Sequence, residues 1–212
     1  CARSSRVTGC ASPWLLPPMT DYDIQPIRVD EAQLASYAAL FSQCFPGGDA
    51  FSPAYLKWLY RDNPEGAAVG FDAWKNGALA AHYVTIPVAI ALAGKQCRAL
   101  LSLNTATHPD HRGQGLFTLL AQKTYDEAAA QGYAAVIGVA NQNSTHGFTK
   151  KLGFQLVKPL DAFIGLGLPR LDSAAQTAPS LSRIWNAKSY AWRAGNPRNP
   201  LRCFSQNGSA IS

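Results

Sequence analysis

The spacing of apolar residues in the first third of the chain predicts one strand and two helices. Residues 24–28 alternate between apolar and polar, which is typical of a strand. Residues 30–45 carry apolar positions at helical spacing behind an aspartate at the first position, so we expect a capped helix there. Ser52-Pro53 is the start signal of a second helix, and Asn63-Pro64 is its stop signal.

The next part of the chain predicts a meander of three strands. Asn76-Gly77, the dipeptide most typical of a two-residue hairpin, separates residues 69–74 from the apolar run 78–92. Ala93-Gly94-Lys95 predicts the second turn, and residues 97–107 then form a long strand. The mixture of polar and apolar residues on this strand indicates one face on a core and one face on a cleft.

After the meander the pattern changes to helix, strand and helix. Apolar residues recur at helical spacing over 116–131. The apolar run 134–140 predicts a strand that is buried on both faces and parallel to its neighbour. A short helix over 144–152 and two final strands over 154–158 and 162–166 complete an α/β fold whose sheet is mostly antiparallel.

Composition and charge narrow the class of protein. The chain has 212 residues, 47% hydrophobic and 15% charged, which is a globular composition. Its net charge of +6 comes from the two ends, because residues 21–160 hold 11 Lys and Arg against 11 Asp and Glu. We therefore expect no nucleic-acid partner. The longest apolar stretch, 84–93, is shorter than the ~20 residues of a membrane span, so we also expect no membrane partner.

The cysteines predict neither disulfides nor a metal site. The five of them stand at positions 1, 10, 44, 97 and 203, form no Cys-x-x-Cys pair, and do not group with the four histidines at metal-ligand spacing. This usage is typical of a reducing compartment, and we expect a cytoplasmic location.

Changes in composition divide the chain into four parts. Residues 1–18, rich in Ser, Arg and Pro, are expected to be a non-native or disordered leader before a start at Met19. Residues 19–168 form the predicted domain, and the Ser, Ala and Pro of 169–182 predict a linker. Residues 183–212 are a candidate start of a truncated second module.

The hypothesis of a second module rests on a weak internal repeat. Tyr190, Trp192 and Asn196-Pro197 follow one another in the order in which a tyrosine, a tryptophan and an Asn-Pro pair occur within residues 55–64. Coincidence is the alternative interpretation.

A glycine-rich loop lies between the long strand and the helix that follows it. The loop reads His-Pro-Asp-His-Arg-Gly-Gln-Gly-Leu-Phe over 108–117. Gly113 and Gly115 allow a close approach to the backbone, and the N–H groups of the following helix form an anion site suited to a pyrophosphate. Arg112 can complement the charge. The spacing is neither that of a P-loop nor that of a dinucleotide fingerprint.

This loop resembles the acetyl-CoA signature of the GCN5-related N-acetyltransferase (GNAT) superfamily. That signature is Arg or Gln, two residues, Gly, one residue, then Gly or Ala; here it begins at Arg112 and has Phe117 at its last position. Residues 150–154 resemble the later "klGF" element of the superfamily, and the resemblance covers about 24–166. It implies a mixed, mostly antiparallel twisted sheet with a splayed central strand pair, flanked by helices.

The resemblance also implies how acetyl-CoA binds. The pantetheine arm would lie between the splayed strands, on backbone of residues 105–107, and the pyrophosphate would lie on the N–H groups of 113–117. A backbone N–H near Ala106 would polarise the thioester carbonyl. The implied cofactor-binding residues are Ala106, Thr107, Arg112, Gly113, Gln114, Gly115, Leu116, Phe117 and Asn141.

The candidate catalytic residues are Thr149 and His146. Many members of the superfamily carry a tyrosine, the general acid, four residues before the glycine of the Gly-Phe pair; here that position is Thr149. A threonine hydroxyl has no useful pKa, so a water, or no acid at all, would serve. His146 is the candidate general base, with an exposed helix residue as the alternative interpretation.

Three functions stay open at this point. The first is an N-acetyltransferase that uses acetyl-CoA to acylate a primary amine of a small molecule or amino sugar. The second is an acyltransferase of the same fold with a longer acyl donor, and the third is a non-catalytic module that binds or senses CoA. The two enzymes predict thiol release when an amine is added, whereas the module predicts binding without turnover. A homodimer also stays open.

Overall fold

Helices and strands follow the predicted order through the first two thirds of the chain. The computed structural model describes residues 21–140, 142–157, 181–199, 204–206 and 209–211. The elements are β1 (Asp23–Pro26), α1 (Glu31–Cys44), α2 (Pro53–Tyr60), β2 (Val69–Lys75), β3 (Ala78–Leu92), β4 (Lys95–Thr107), α3 (Leu116–Ala130), β5 (Ala135–Gly138), α4 (Gln142–His146), β6 (Leu181–Arg183), α5 (Ala187–Ala194), β7 (Phe204–Gln206) and β8 (Ser209–Ile211).

Side-chain caps fix the starts of the first two helices. The Asp30 carboxylate accepts a hydrogen bond from the backbone N–H of Gln33, and the Ser52 hydroxyl accepts one from the backbone N–H of Tyr55. Each cap satisfies an N–H group that has no partner inside the helix. Both predicted helix starts are confirmed.

One mixed sheet organises the fold. Its strands lie in the order β1-β2-β3-β4-β5, and every neighbouring pair is antiparallel except β4 and β5, which are parallel. Strand β6 pairs with β3 at Ile90–Leu92, beyond Thr85, where the pairing with β2 ends. The mostly antiparallel sheet and its parallel crossover are therefore as predicted.

Two hydrophobic clusters cover the two faces of the sheet. Helices α1 and α2 pack on one face through Leu34, Tyr37, Phe41, Leu56 and Tyr60. Helix α3 packs on the other face, where Leu116, Leu120 and Ala121 meet Ala81 and Tyr83 of β3. Each large buried side chain contributes about 1.5–3 kcal/mol to folding, so these helices hold the sheet from both sides.

Two expectations for the later elements are wrong, and a third is confirmed in part. Strand β5 is half-buried and Val139 is 72% exposed, because in the described part of the chain β5 pairs with β4 alone. Residues 154–157 form no strand, and residues 158–180, which include the other predicted strand, lie outside the described residues. The helix predicted over 144–152 is α4 followed by a π-helical turn, Gly147–Lys151.

The tail contacts the same domain. Leu181 and Ser182, which fall within the predicted linker, belong to β6 and pair with β3. Helix α5 packs against α2 through Trp192 and Trp58, whose rings stack with centroids 4.6 Å apart. The second-module hypothesis stays a prediction at this stage.

Candidate active site

Strands β4 and β5 part after a short stretch of pairing. They pair only from Ala99 to Ser102 on β4, opposite Ala135 to Gly138 on β5. Beyond Ser102, β4 continues to Thr107 while it stays paired with β3, whereas β5 ends. This divergence opens a gap beside residues 103–107.

A β-bulge lies on β4 at this gap. His82 pairs with Ala106 and Val84 pairs with Leu103, so Asn104 and Thr105 together stand opposite a single residue of β3. Asn104 has a φ of 48°, a left-handed conformation that asparagine tolerates better than most residues. A bulge re-aims backbone and side-chain groups, so this one turns the end of β4 relative to a regular strand.

The glycine-rich loop connects β4 to α3. Gly113 and Gly115 have φ values of 78° and 75°, and a Cβ built on either residue would meet nothing within 4 Å. Gly115 is the N-cap of α3 and offers no side-chain cap. The first N–H groups of α3 thus lack a capping side chain, and together with the helix dipole they suit an anion.

Arg112 folds back onto the end of β4. Its Nε donates to the backbone carbonyl of Thr107 at 3.3 Å, and the same carbonyl accepts from Cys44 Sγ at 3.4 Å. Burial raises the pKa of the Cys44 thiol, and the neighbouring Arg112 guanidinium acts in the opposite direction. The exposed guanidinium is therefore held at the start of the loop by a neutral acceptor.

Two histidines anchor this loop to the rest of the domain. His108 Nε2 donates to Gln43 Oε1 of α1 at 2.7 Å, while its Nδ1 accepts from the backbone N–H of Asp110. The hydroxyl of Tyr22 and Nδ1 of His111 lie 3.0 Å apart. These contacts give both histidines a structural role in fixing the loop.

The predicted cofactor-binding residues that the structure describes run along the end of β4, the glycine-rich loop and the start of α3. Ala106 is buried against α1 and α2, and residues 112–115 are exposed. Leu116 is buried in the cluster under α3, and the Phe117 ring packs edge-on against Tyr83 and Phe148. Asn141 lies outside the described residues.

The two candidate catalytic residues lie on α4 and its continuation. His146 is exposed at the last position of α4. The Thr149 hydroxyl donates to the backbone carbonyl of Thr145 at 2.9 Å, which uses its proton inside the helix. The contact between Phe148 and Phe117 places this turn beside the start of α3.

Tyr60 supports the bulge and had no signal in the sequence. Its hydroxyl accepts a hydrogen bond from Asn104 Nδ2 at 3.1 Å, and it lies fully buried on α2. Burial raises the pKa of Tyr60, so the phenol keeps its proton. The two residues are 44 positions apart, a separation that no local pattern reveals.

A second group of hydroxyls lies where β4 and β5 part. The Tyr83 hydroxyl is 2.9 Å from Ser102 Oγ and 2.6 Å from the Tyr125 hydroxyl. Burial raises the pKa of both tyrosines. This cluster ties α3 to β3 and to Ser102, which is the last residue of β4 that pairs with β5.

A buried polar network lies on the other face of the sheet. Asp72 Oδ1 is 2.6 Å from His82 Nδ1, and its Oδ2 accepts from the Tyr37 hydroxyl at 2.7 Å. His82 is 0% exposed, and its Nε2 has no hydrogen-bond partner among the described residues. Because His82 pairs with Ala106, this network braces the strand position just beyond the bulge.

Two other features, a metal site and a membrane span, are not found among the described residues. They contain no group of histidine, cysteine and carboxylate side chains that could hold a metal ion. In the same set of residues, no helix combines the length and the apolar character that a membrane span requires. A surface cavity lies on the edge strand β1, lined by Asp23, Gln25, Arg28, Gln33, Trp74, Asn76 and Gly77.

Comparison of the sequence with known families identifies one match. Residues 25–157 match a family described as acetyltransferase (GNAT) domain, which covers more than half of the chain. Comparison with curated proteins finds no match.

Solved structures share the fold at low sequence identity. An aminoglycoside acetyltransferase from an uncultured soil metagenomic sample is 17% identical with a TM-score of 0.54, over 69% of this chain and 99% of that one. Glucosamine-6-phosphate N-acetyltransferase from Arabidopsis thaliana is 15% identical with a TM-score of 0.52, over 68% and 97%. A predicted acetyltransferase from Clostridium acetobutylicum, solved with acetyl-CoA, is 16% identical with a TM-score of 0.52, over 69% and 96%. At these identities the likeness concerns the fold alone.

Proposed function

The chain belongs to the acetyltransferase (GNAT) family, and from this premise we propose that it transfers an acetyl group from acetyl-CoA to a primary amine of a small molecule or amino sugar. The observation that carries the proposal is the exposed Gly113–Gly115 loop, which opens α3 beside the gap between β4 and β5. Two fold neighbours are named for amino-sugar acceptors, an aminoglycoside and glucosamine 6-phosphate, and this supports the acceptor class. A cytoplasmic location is part of the proposal.

The residues at the loop fit a CoA pyrophosphate. Gly113 and Gly115 carry no side chain over the loop, which their positive φ values favour, and the start of α3 presents N–H groups that no side chain caps. We assign the pyrophosphate to the backbone of 113–117 and the pantetheine arm to the backbone of Ala106 and Thr107. Arg112 contributes a positive charge beside them.

Catalysis in this proposal depends mostly on how the thioester and the amine are positioned against each other. When bound, acetyl-CoA supplies an acyl group on a thioester whose thiolate is a good leaving group. The bulge at Asn104 and Thr105 sets the direction of the backbone N–H groups near Ala106, which would stabilise charge on the carbonyl oxygen. The Tyr60–Asn104 bond and the Asp72–His82 pair hold that backbone in place.

Proton transfer is assigned to His146 on the acceptor side. The imidazole is exposed at the end of α4, where it can take the proton of the amine directly or through a water. Thr149 is not assigned the role of acid, since its hydroxyl is donated to the Thr145 carbonyl. The thiolate then takes its proton from solvent.

A non-catalytic CoA-binding module is the second candidate. The observation that favours it is the same Thr149 bond, because the position that carries an acid in many relatives is here part of the helix backbone network. Both candidates share the cofactor loop and differ only in turnover. The third alternative is an acyltransferase that uses a longer acyl donor. It differs from the first candidate only in the acyl-CoA that it accepts.

The first experiment measures acetyl-CoA binding to the full chain by calorimetry, beside the Gly115→Glu variant. A carboxylate at this position places negative charge at the start of α3, and we expect binding to be lost. Gly132→Glu is the matched control, because Gly132 ends α3 with a φ of 77° and equally open surroundings. Equal loss of binding in both variants, with both folded, would contradict the assignment of the loop.

The second experiment measures thiol release from acetyl-CoA and butyryl-CoA with a panel of amines that includes glucosamine 6-phosphate and an aminoglycoside. Release with acetyl-CoA that depends on the amine supports the enzyme, and a preference for butyryl-CoA selects the longer donor. Tight binding without release for any amine selects the non-catalytic module.

A further inference from the structure

Helix α5 is built like α2. Each helix has eight residues and begins behind a polar cap, Ser52 for α2 and Asn186 for α5. Each cap accepts a hydrogen bond from the backbone N–H three residues later, that of Tyr55 and that of Ser189. A tryptophan stands six residues after each cap.

The similarity continues beyond the helices. Asn63 and Asn196 are each followed by proline, and each side-chain oxygen accepts the backbone N–H two residues further on, at 3.1 and 3.0 Å. An antiparallel hairpin follows in both cases: β2 and β3 are joined by Asn76-Gly77, and β7 and β8 are separated in the sequence by Asn207-Gly208. The shared unit is therefore a capped helix, an Asn-Pro turn and a pair of antiparallel strands.

The two tryptophans contact each other reciprocally. Trp58 Nε1 donates to the Trp192 backbone carbonyl, and Trp192 Nε1 donates to the Trp58 backbone carbonyl, both at 2.9 Å. The rings stack at 15° with centroids 4.6 Å apart. Equivalent atoms that exchange equivalent bonds are the mark of a contact across a two-fold axis.

Contacts on either side of the tryptophans are reciprocal as well, since each unit contacts the start of the helix of the other unit. Glu65, two residues after Asn63, accepts from the Nδ2 of Asn186 at the start of α5. Arg198, two residues after Asn196, lies over the Phe51 and Tyr55 rings at the start of α2, 5.1 and 5.0 Å from the centroids. Each unit thus reaches from its Asn-Pro turn to the start of the other helix.

We propose that residues 186–211 are a second copy of the α2–β2–β3 unit, and that the α2 face is a self-complementary docking surface for a second domain of this fold. The contact between Trp58 and Trp192 indicates that the partner of the α2 face is a matching copy of the same surface. A surface that binds the matching surface of its own repeat offers a donor and an acceptor at the axis, together with a flat aromatic ring. An unrelated partner would not in general offer the same donor and acceptor in the same reciprocal arrangement.

The proposal predicts that the α2 face binds a second copy of itself once α5 is displaced. The test compares the full chain with Trp192→Ala, using hydrogen exchange to follow α5 and analytical ultracentrifugation to follow association. We expect faster exchange over 187–194 and a concentration-dependent dimer for Trp192→Ala. Trp185→Ala is the matched control, because Trp185 stacks on Tyr190 and lies outside the exchanged contact.

A second substitution identifies the surface of that dimer. Adding Trp58→Phe to Trp192→Ala removes the indole donor from both copies but keeps the rings, and we expect a dimer dissociation constant raised roughly five-fold or more, the effect of two symmetry-related hydrogen bonds. Trp192→Ala that stays monomeric although α5 exchanges freely would overturn the proposal. So would unchanged exchange over 187–194, or a dimer of the same affinity after Trp58→Phe.

Discussion

The side-chain amide of Asn104 donates to the hydroxyl of Tyr60 across 3.1 Å, and this bond joins α2 to the bulge of β4. Asn104 needs such support because its φ of 48° is unfavourable for most residues. The same helix carries Trp58, which contacts the tail. Helix α2 therefore connects the bulge on one side with α5 on the other.

Removal of the Tyr60 hydroxyl tests the support of the bulge. We expect Tyr60→Phe to lower the free energy of unfolding by about 1 kcal/mol, since Asn104 Nδ2 loses its acceptor, and to weaken acetyl-CoA binding. Urea unfolding and calorimetry measure the two effects. Tyr55→Phe on the same helix is the control, with an expected change within about 0.5 kcal/mol. Equal effects of the two substitutions would argue against a specific role for Tyr60.

Substitution of Asn104 separates backbone strain from the side-chain bond. Both Asn104→Gly and Asn104→Ala lose the bond to Tyr60, but only alanine meets the steric cost of the left-handed region. We expect the glycine variant to be more stable than the alanine variant by about 1 kcal/mol in urea unfolding. A more stable alanine variant would mean that the bulge relaxes into a regular strand.

Buried tyrosines predict the response to alkaline pH. Burial raises the pKa of Tyr37, Tyr60 and Tyr125 in the folded state. Folding is insensitive to these groups below the pKa of about 10 that tyrosine has in the unfolded chain, and stability falls as the pH rises above that value. We expect each tyrosine to cost up to about 1.4 kcal/mol per pH unit there.

Urea midpoints at pH 8, 9.5 and 10.5 measure the alkaline loss. Tyr37→Phe should reduce the slope above pH 10, because the unfolded chain then has one tyrosine fewer to ionise. A midpoint that stays constant to pH 10.5 would show that these phenols ionise as readily in the folded protein as in the unfolded chain.

We expect substitutions of His146 and Thr149 to differ in their effect on turnover. We expect Thr149→Val to keep turnover within about two-fold, since its hydroxyl is donated to a backbone carbonyl, whereas loss of a general base costs on the order of 100-fold. His146→Gln should therefore lower kcat/KM by that amount. A large loss of kcat in Thr149→Val together with an unchanged kcat/KM in His146→Gln would reverse the two assignments.

Local signals predicted the parts of the fold that depend on a few neighbouring residues. Asp30 and Ser52 cap helices because their side chains reach backbone N–H groups three residues away. Asn76-Gly77 closes the hairpin because both residues accept positive φ. The glycine-rich loop was equally visible, since Gly113 and Gly115 act through their own backbone.

Long-range register was not accessible to the same reasoning. A regular hairpin closed at Asn76-Gly77 would place Asp72 opposite Ala81, but an extra residue on β3 shifts the pairing and places Asp72 opposite His82. The buried pair follows from that irregularity. The prediction that the strand at 134–140 is buried on both faces was wrong for a related reason. The burial of β5 depends on which elements cover it and not on its own apolar run.

The parting of β4 from β5 also leaves the last part of β4 as a free strand edge. From Leu103 to Thr107, β4 has a strand on one side only among the described residues, and a free strand edge is a template on which another extended chain can add. The bulge at Asn104 breaks the regular spacing that such an addition needs. The bulge, for which we propose a role in the reaction, thus also works against such an addition, and we expect a deletion that straightens β4 to lower solubility as well as activity.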